Sequence, residues 1–115
     1  MIAIVFEVWP TSGRKEDYLA IAAKLKPELE KMDGFISVER FQSLTDPQKL
    51  LSLSFWRDED AVRNWRSQTH HRKSQAAGRG GTFANYRLRI ASVVRDYGMA
   101  ERQEAPADSR EFHEA

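Results

Sequence analysis

"LLSLSFWRDEDAVRNW", Leu50 to Trp65, changes its periodicity half-way along, and that change decides the architecture. As far as Trp56 the apolar residues alternate, with Leu51, Leu53 and Phe55 sharing one face of a strand. From Asp58 onward the spacing is helical. Ala61, Val62 and Trp65 make a buried side, Asp58 is placed as the N-cap, and Glu59 and Asp60 bring negative charge to the first turn. A strand therefore feeds directly into an amphipathic helix. Upstream, "FISVERFQSL" (Phe35 to Leu44) alternates imperfectly, and the proline-containing turn "TDPQK" joins it to this strand as a hairpin.

Further upstream, "IAIVFEVW" (Ile2 to Trp9) places Ile2, Ile4, Phe6 and Val8 on one face and Ala3, Val5, Glu7 and Trp9 on the other. Both faces are largely apolar, which predicts a central strand covered on two sides. "PTSG" ends it, with Thr11 and Ser12 as cap candidates. The stripe Tyr18, Ile21, Ala22, Leu25, Leu29 and Met32 then predicts a helix that kinks or breaks after Lys26 because of Pro27, and "DG" at Asp33 and Gly34 closes it. Downstream, "TFANYRLRIASVVRDY" reads as a long strand, with Tyr86, Leu88, Ile90 and Val94 on one face and Asn85, Arg87, Arg89, Ala91 and Val93 on the other. Pairing of Arg87 or Arg89 with Glu7 or Glu39 across the sheet is expected. The end of the chain is charged, lacks periodicity and contains Pro106, so it reads as a loose tail. The domain is placed at 1–98 and the tail at 99–115.

The resulting order, βαββαβ, is the α+β ferredoxin-like arrangement, a four-stranded antiparallel sheet with two helices on one face. Its other face would expose apolar side chains, and a second copy is the simplest cover, which predicts a homodimer packed through its sheet faces.

Composition narrows the function. With 115 residues and 41% hydrophobic content one domain is expected, and a formal charge of +1 gives no general attraction to nucleic acid or anionic membrane. Absence of cysteine excludes thiolate chemistry and disulfides and suits a reducing cytoplasm. The apolar opening breaks at Pro10, too early for a membrane span. "GRGG", Gly78 to Gly81, follows a helix and precedes a strand, so it is a connector rather than a phosphate loop.

The open question lies in "WRSQTHHRKSQ", Trp65 to Gln75, which has no apolar residue after its tryptophan. On an unbroken helix His70 and His71 would sit roughly 140° and 120° from the indole direction, on a solvated basic face. The alternative, on which the catalytic expectation rests, is a break around Ser67 to Thr69 that turns His71 toward the gap between helix and sheet, where a neutral imidazole can move a proton near physiological pH. Two adjacent histidines with no companion carboxylate or cysteine do not make a metal site.

With this order in hand, "DGF" at Asp33 to Phe35, "FW" at Phe55 and Trp56, the acidic helix start "RDEDAV", and Trp65 followed by His71, the chain resembles the antibiotic biosynthesis monooxygenase (ABM) family of dimeric α/β barrels. The resemblance covers Met1 to Tyr97. It implies a cavity between sheet and helices and a monooxygenase that oxidises a small phenol or quinol with molecular oxygen and no resident cofactor. Trp65 and His71 would be the catalytic pair, with Phe6, Phe55 and Trp56 as apolar lining and Asn64, Arg72 and Tyr86 as polar substrate contacts. A non-catalytic ligand-binding barrel is the alternative. A haem-degrading branch of the family is disfavoured, because its first-strand asparagine falls on Phe6 or Glu7 and its iron-ligating histidine on Gln75.

Overall fold

The computed structural model of the chain describes the backbone at 1–75 and 83–114 and the side chains at 1–68 and 83–110. The elements are β1 (Ile2–Pro10), α1 (Lys15–Glu30), β2 (Phe35–Gln42), β3 (Leu50–Trp56), α2 (Glu59–Gln75), β4 (Phe83–Ser92) and α3 (Ala107–Glu114). The four strands form one antiparallel sheet in the order β2-β3-β1-β4, which is the expected ferredoxin-like arrangement. Leu29 of α1 and Ala61 and Val62 of α2 pack against Ile2 and Trp56, so both helices cover the face that carries Ile2, Ile4, Phe6 and Val8. The opposite face carries Val5, Glu7, Leu51, Leu53, Phe55 and Arg89.

The α2 start follows its sequence. Asp58 Oδ1 accepts the Ala61 backbone N–H at 2.9 Å, satisfying one of the orphan donors of the first turn. The preceding Arg57 forms a fork on Asp33, with both bonds at 3.1 Å, and its Nε donates to Asp58 at 3.0 Å. The α1–β2 turn is thereby tied to the β3–α2 turn. Gly34 is required there twice: its φ is +86°, and a Cβ would stand 2.6 Å from the Ala61 Cβ.

Helix α1 departs from expectation at both ends. Neither Thr11 nor Ser12 occupies the N-cap position. Gly13, at φ +80°, inserts a turn, the helix starts at Lys15, and Arg14 occupies the N-cap position without a side-chain cap bond. Pro27 does not break it either, since the helix runs on to Glu30. With only three helical residues beyond it, the proline costs little of the hydrogen-bonded ladder. Of the expected stripe Tyr18, Ala22 and Leu29 are buried, whereas Ile21 is exposed. The end of the chain also differs, because it contains α3. The Pro106 carbonyl accepts the Arg110 N–H at 2.9 Å, Arg102 donates to Ser109 Oγ at 3.1 Å and lies 5.1 Å over the Tyr97 ring, and Ala105 is buried. Proline is tolerated at a helix entrance, a position that the lack of apolar periodicity concealed.

Four carboxylates are held below their ordinary range by these contacts. Lys49 and Arg89 do so for Glu7 against the opposing effect of burial, Arg57 for Asp33, the Trp9 indole and the Gln48 N–H for Asp46, and the Ala61 N–H and Arg57 for Asp58. A carboxylate whose folded pKa is depressed stabilises above its unfolded value and loses that contribution as pH falls through the folded one. The ordinary values are 3.8 for Asp and 4.5 for Glu. The melting temperature is therefore expected to hold from neutrality down to about pH 5 and to drop progressively below about 4. Calorimetric scans across that range check this, and an unchanged melting temperature at pH 3 would show that the four contacts are not coupled to folding.

Candidate active site

Strand register lays out the helix-side floor in cross-strand rows. Gln42, Leu50, Val8 and Tyr86 form one row, Arg40, Ser52, Phe6 and Leu88 the next, and Val38, Ser54, Ile4 and Ile90 the third. Tyr18 packs with Val8 and Leu50 at one end of the layer, while Leu29 packs with Ile2, Trp56, Ala61 and Val62 at the other. Between these two buried clusters the floor carries the small residues Ser52 and Ser54. Ala22, buried but belonging to neither cluster, lies on the α1 face between Tyr18 and Leu29. The middle of the layer thus sets the small Ser52 and Ser54 between Arg40 and Phe6 in one row and Val38 and Ile4 in the next. Beyond β1, Tyr86, Leu88 and Ile90 of β4 are 58%, 49% and 44% exposed.

Aromatic side chains frame this region. Trp65 is half-buried and tilts over Trp56, with ring centroids 6.5 Å apart. Trp56 is buried, meets Phe35 edge-on at 5.4 Å and donates its indole N–H to Ser54 Oγ at 3.0 Å. Phe6 lies 6.1 Å from Phe83 and 5.7 Å from Tyr86. Edge-to-face and tilted contacts of this kind hold the rings as a fixed apolar wall.

Of the residues expected at the site, Phe6, Trp56, Trp65 and Tyr86 lie on the helix side. Phe55 does not. It pairs with Ala3 and Ser37 on the opposite face, because consecutive strand residues point to opposite sides and Trp56 takes the inner one. Asn64 is exposed, about 100° around α2 from Trp65. The expected break at Ser67 to Thr69 is absent from the backbone, since α2 is helical from Glu59 to Gln75. The stretch contains neither glycine nor proline, and a formed helix propagates through Ser and Thr at a cost of only a few tenths of a kcal/mol each. The side chains of His71 and Arg72 lie outside the described residues. Arg89 pairs with Glu7 at 2.5 Å, as expected for the outer face. The four depressed carboxylates belong to turns and to that outer face, and none sits on the helix-side floor. Two floor residues escaped sequence reasoning. Ser54 holds the Trp56 indole, and Arg40 has its Nε buried without a hydrogen-bond partner. Only the β2–β3 register, which no local pattern specifies, reveals their place.

Comparison with known proteins settles the kinship. The antibiotic biosynthesis monooxygenase family model matches residues 1–77, the stretch that holds β1 through α2. The chain belongs to this family. A jasmonate monooxygenase of Pyricularia oryzae is 44% identical over 94 residues, covering 82% of this chain and 44% of its own length. The chain spans about half the length of the curated relatives it matches. Among solved structures, SnoaB, a cofactor-independent oxygenase from Streptomyces nogalater, aligns with a TM-score of 0.67 at 13% identity, covering 83% of this chain and 94% of SnoaB. MhuD, solved with two manganese protoporphyrin IX groups per active site, aligns at 0.65 and 16% identity, covering 85% and 99%. At such identities both show the ferredoxin-like ABM fold alone. Among the described residues there is no cluster of three potential metal ligands, and no helix is long and apolar enough to cross a membrane.

Proposed function

We propose that this ABM protein is a cofactor-independent monooxygenase, working as a homodimer in the reducing cytoplasm and oxidising a small, largely apolar ring substrate, a phenol or quinol. The observation that carries the reading is the half-buried Trp65 tilted over Trp56 beside the small floor residues Ser52 and Ser54, within the part of the chain that matches the family. A deprotonated phenol is electron-rich enough to pass an electron to molecular oxygen itself. Oxygen then adds to the ring, and loss of water leaves a quinone, so one oxygen atom is retained and the other leaves reduced. The protein's task is to remove the phenolic proton, exclude water and hold the ring. In this scheme Trp65 and Trp56 are the ring wall, Phe6 and Tyr86 extend it, Arg72 is a further polar contact, and His71, for which the continuous α2 supplies no helix break, is the base that substitution tests.

Jasmonate, which the 44% identical relative is named for, has no phenolic proton and joins the panel of phenols and quinols as the contrast: uptake with jasmonate alone would replace the phenol or quinol scheme. Oxygen consumption by metal-free protein across that panel tests the reading, and uptake no faster than the buffer rate with every compound would remove it. A haemin titration run in parallel distinguishes a haem-binding member, since a Soret shift at stoichiometric haemin would favour that alternative.

The homodimer reading is supported by the face away from the helices, where Val5, Leu51, Leu53 and Phe55 are contiguous and only half-buried in the single chain. An apolar surface of this kind is rare on a monomer, and a two-fold interface matches it to itself. Light scattering is expected to give twice the 13.3 kDa chain mass, and the monomer mass at micromolar concentration would overturn the dimer.

A further inference from the structure

We propose that Arg40 and Ser52 form a carboxylate-binding subsite on the helix side of the sheet, with the apolar part of the ligand lying toward Phe6, Leu88 and Tyr86. The first ground is placement. Arg40 and Ser52 are directly paired across β2 and β3, and Phe6 and Leu88 continue the same row across β1 and β4. Directly opposed side chains start about 5 Å apart, within reach of one small ligand group.

The second ground is an unmet donor. Among the described residues the buried Arg40 Nε has no hydrogen-bond partner and no carboxylate pairs with this guanidinium. The ion pairs among the described residues serve a turn, a helix or the outer face. A buried donor left unpaired costs free energy, which an arriving anion recovers. The guanidinium presents parallel N–H groups that match the two oxygens of a carboxylate, and the half-buried Ser52 hydroxyl can donate to one of them.

The third ground is the surroundings. Lys15 donates to Gln42, the next helix-side residue along β2, at 2.7 Å, so a second cation stands at the same edge. Away from that edge the row becomes apolar at Phe6 and Leu88, and Phe6 touches Tyr86 at 5.7 Å. One anionic end and a hydrocarbon or ring body, rather than a multiply charged phosphate, fits a floor on which, among the described residues, Arg40 is the guanidinium with its Nε buried. This deepens the monooxygenase reading and rests on it for the identity of the ring that reacts.

The test compares acids with their methyl esters by isothermal calorimetry on the full chain, using jasmonic acid and 4-phenylbutyric acid as probes. The acids are expected to bind about tenfold or more tightly than the esters. Arg40→Met should bring the acids to the level of the esters, Ser52→Ala should remove part of the difference, and Arg40→Lys should keep part of it, as a point charge without the fork. Melting temperatures monitor folding, and if Arg40→Met does not fold, Ser52→Ala and Arg40→Lys carry the comparison. Equal binding of acid and ester by the native chain, or no binding of either acid, overturns the subsite. An acid preference that disappears in Arg40→Met upholds it even if no panel compound consumes oxygen, an outcome that would remove the oxygenase reading alone.

Discussion

Replacing Trp56 by alanine is expected to destabilise the fold by about 3–5 kcal/mol, a large part of the 5–15 kcal/mol that keeps a domain of this size folded. Trp56 is 1% exposed, the largest of the fully buried side chains. It is the centre of the cluster that joins β1 and β3 to both helices through Ile2, Leu29, Ala61 and Val62, and its ring meets Phe35 and Trp65. Truncation empties a volume walled by backbone elements on two sides, which cannot collapse without moving α2 off the sheet. The indole N–H adds a smaller, separable part. Ser54→Ala leaves that donor buried and unpaired, at an expected cost of about 1–3 kcal/mol, whereas Trp56→Phe removes donor and volume together and keeps a ring against Phe35. Urea unfolding followed by far-ultraviolet circular dichroism measures all three. A loss below about 1 kcal/mol for Trp56→Ala would mean that the two helices are held by the Tyr18 end of the layer instead.

The second large effect concerns chemistry. If His71 is the base that takes the phenolic proton, His71→Ala is expected to lower kcat about a hundredfold or more while substrate affinity changes little, because a base acts in the transition state and contributes little to ground-state binding. Acid should slow the reaction, since only a neutral imidazole accepts a proton, and the variant should lose this limb. Trp65→Phe should do the opposite, weakening binding more than turnover, as a wall residue would. Oxygen uptake at saturating substrate across pH 5 to 9 separates the two. Unchanged uptake in His71→Ala, with its pH limb intact, would move the base elsewhere. The continuous α2 makes this a demanding test, because the helix break first expected to redirect His71 is not there.

How much of this was legible beforehand differs from element to element. The strand-to-helix switch at Trp56, the Asp58 cap and the glycine at 34 could be read directly, because each is a local event: alternation of period two, a side-chain oxygen within reach of its own next turn, a backbone torsion only glycine accepts readily. Helix α3 was hidden by a stretch without apolar periodicity, and the start of α1 by the turn at Gly13, where the competing conformations differ by little free energy.

Local pattern by itself therefore determined the element order, the ferredoxin-like class and which β1 residues share a face. It could not determine which residues of different strands stand side by side, because pairing register joins positions far apart in the chain and is settled by the packing of both helices onto one side. That packing sent Trp56 inward and Phe55 outward, and it set Arg40, Ser52, Phe6 and Leu88 in one row. The site is a property of that row, and only the tertiary structure assembles it.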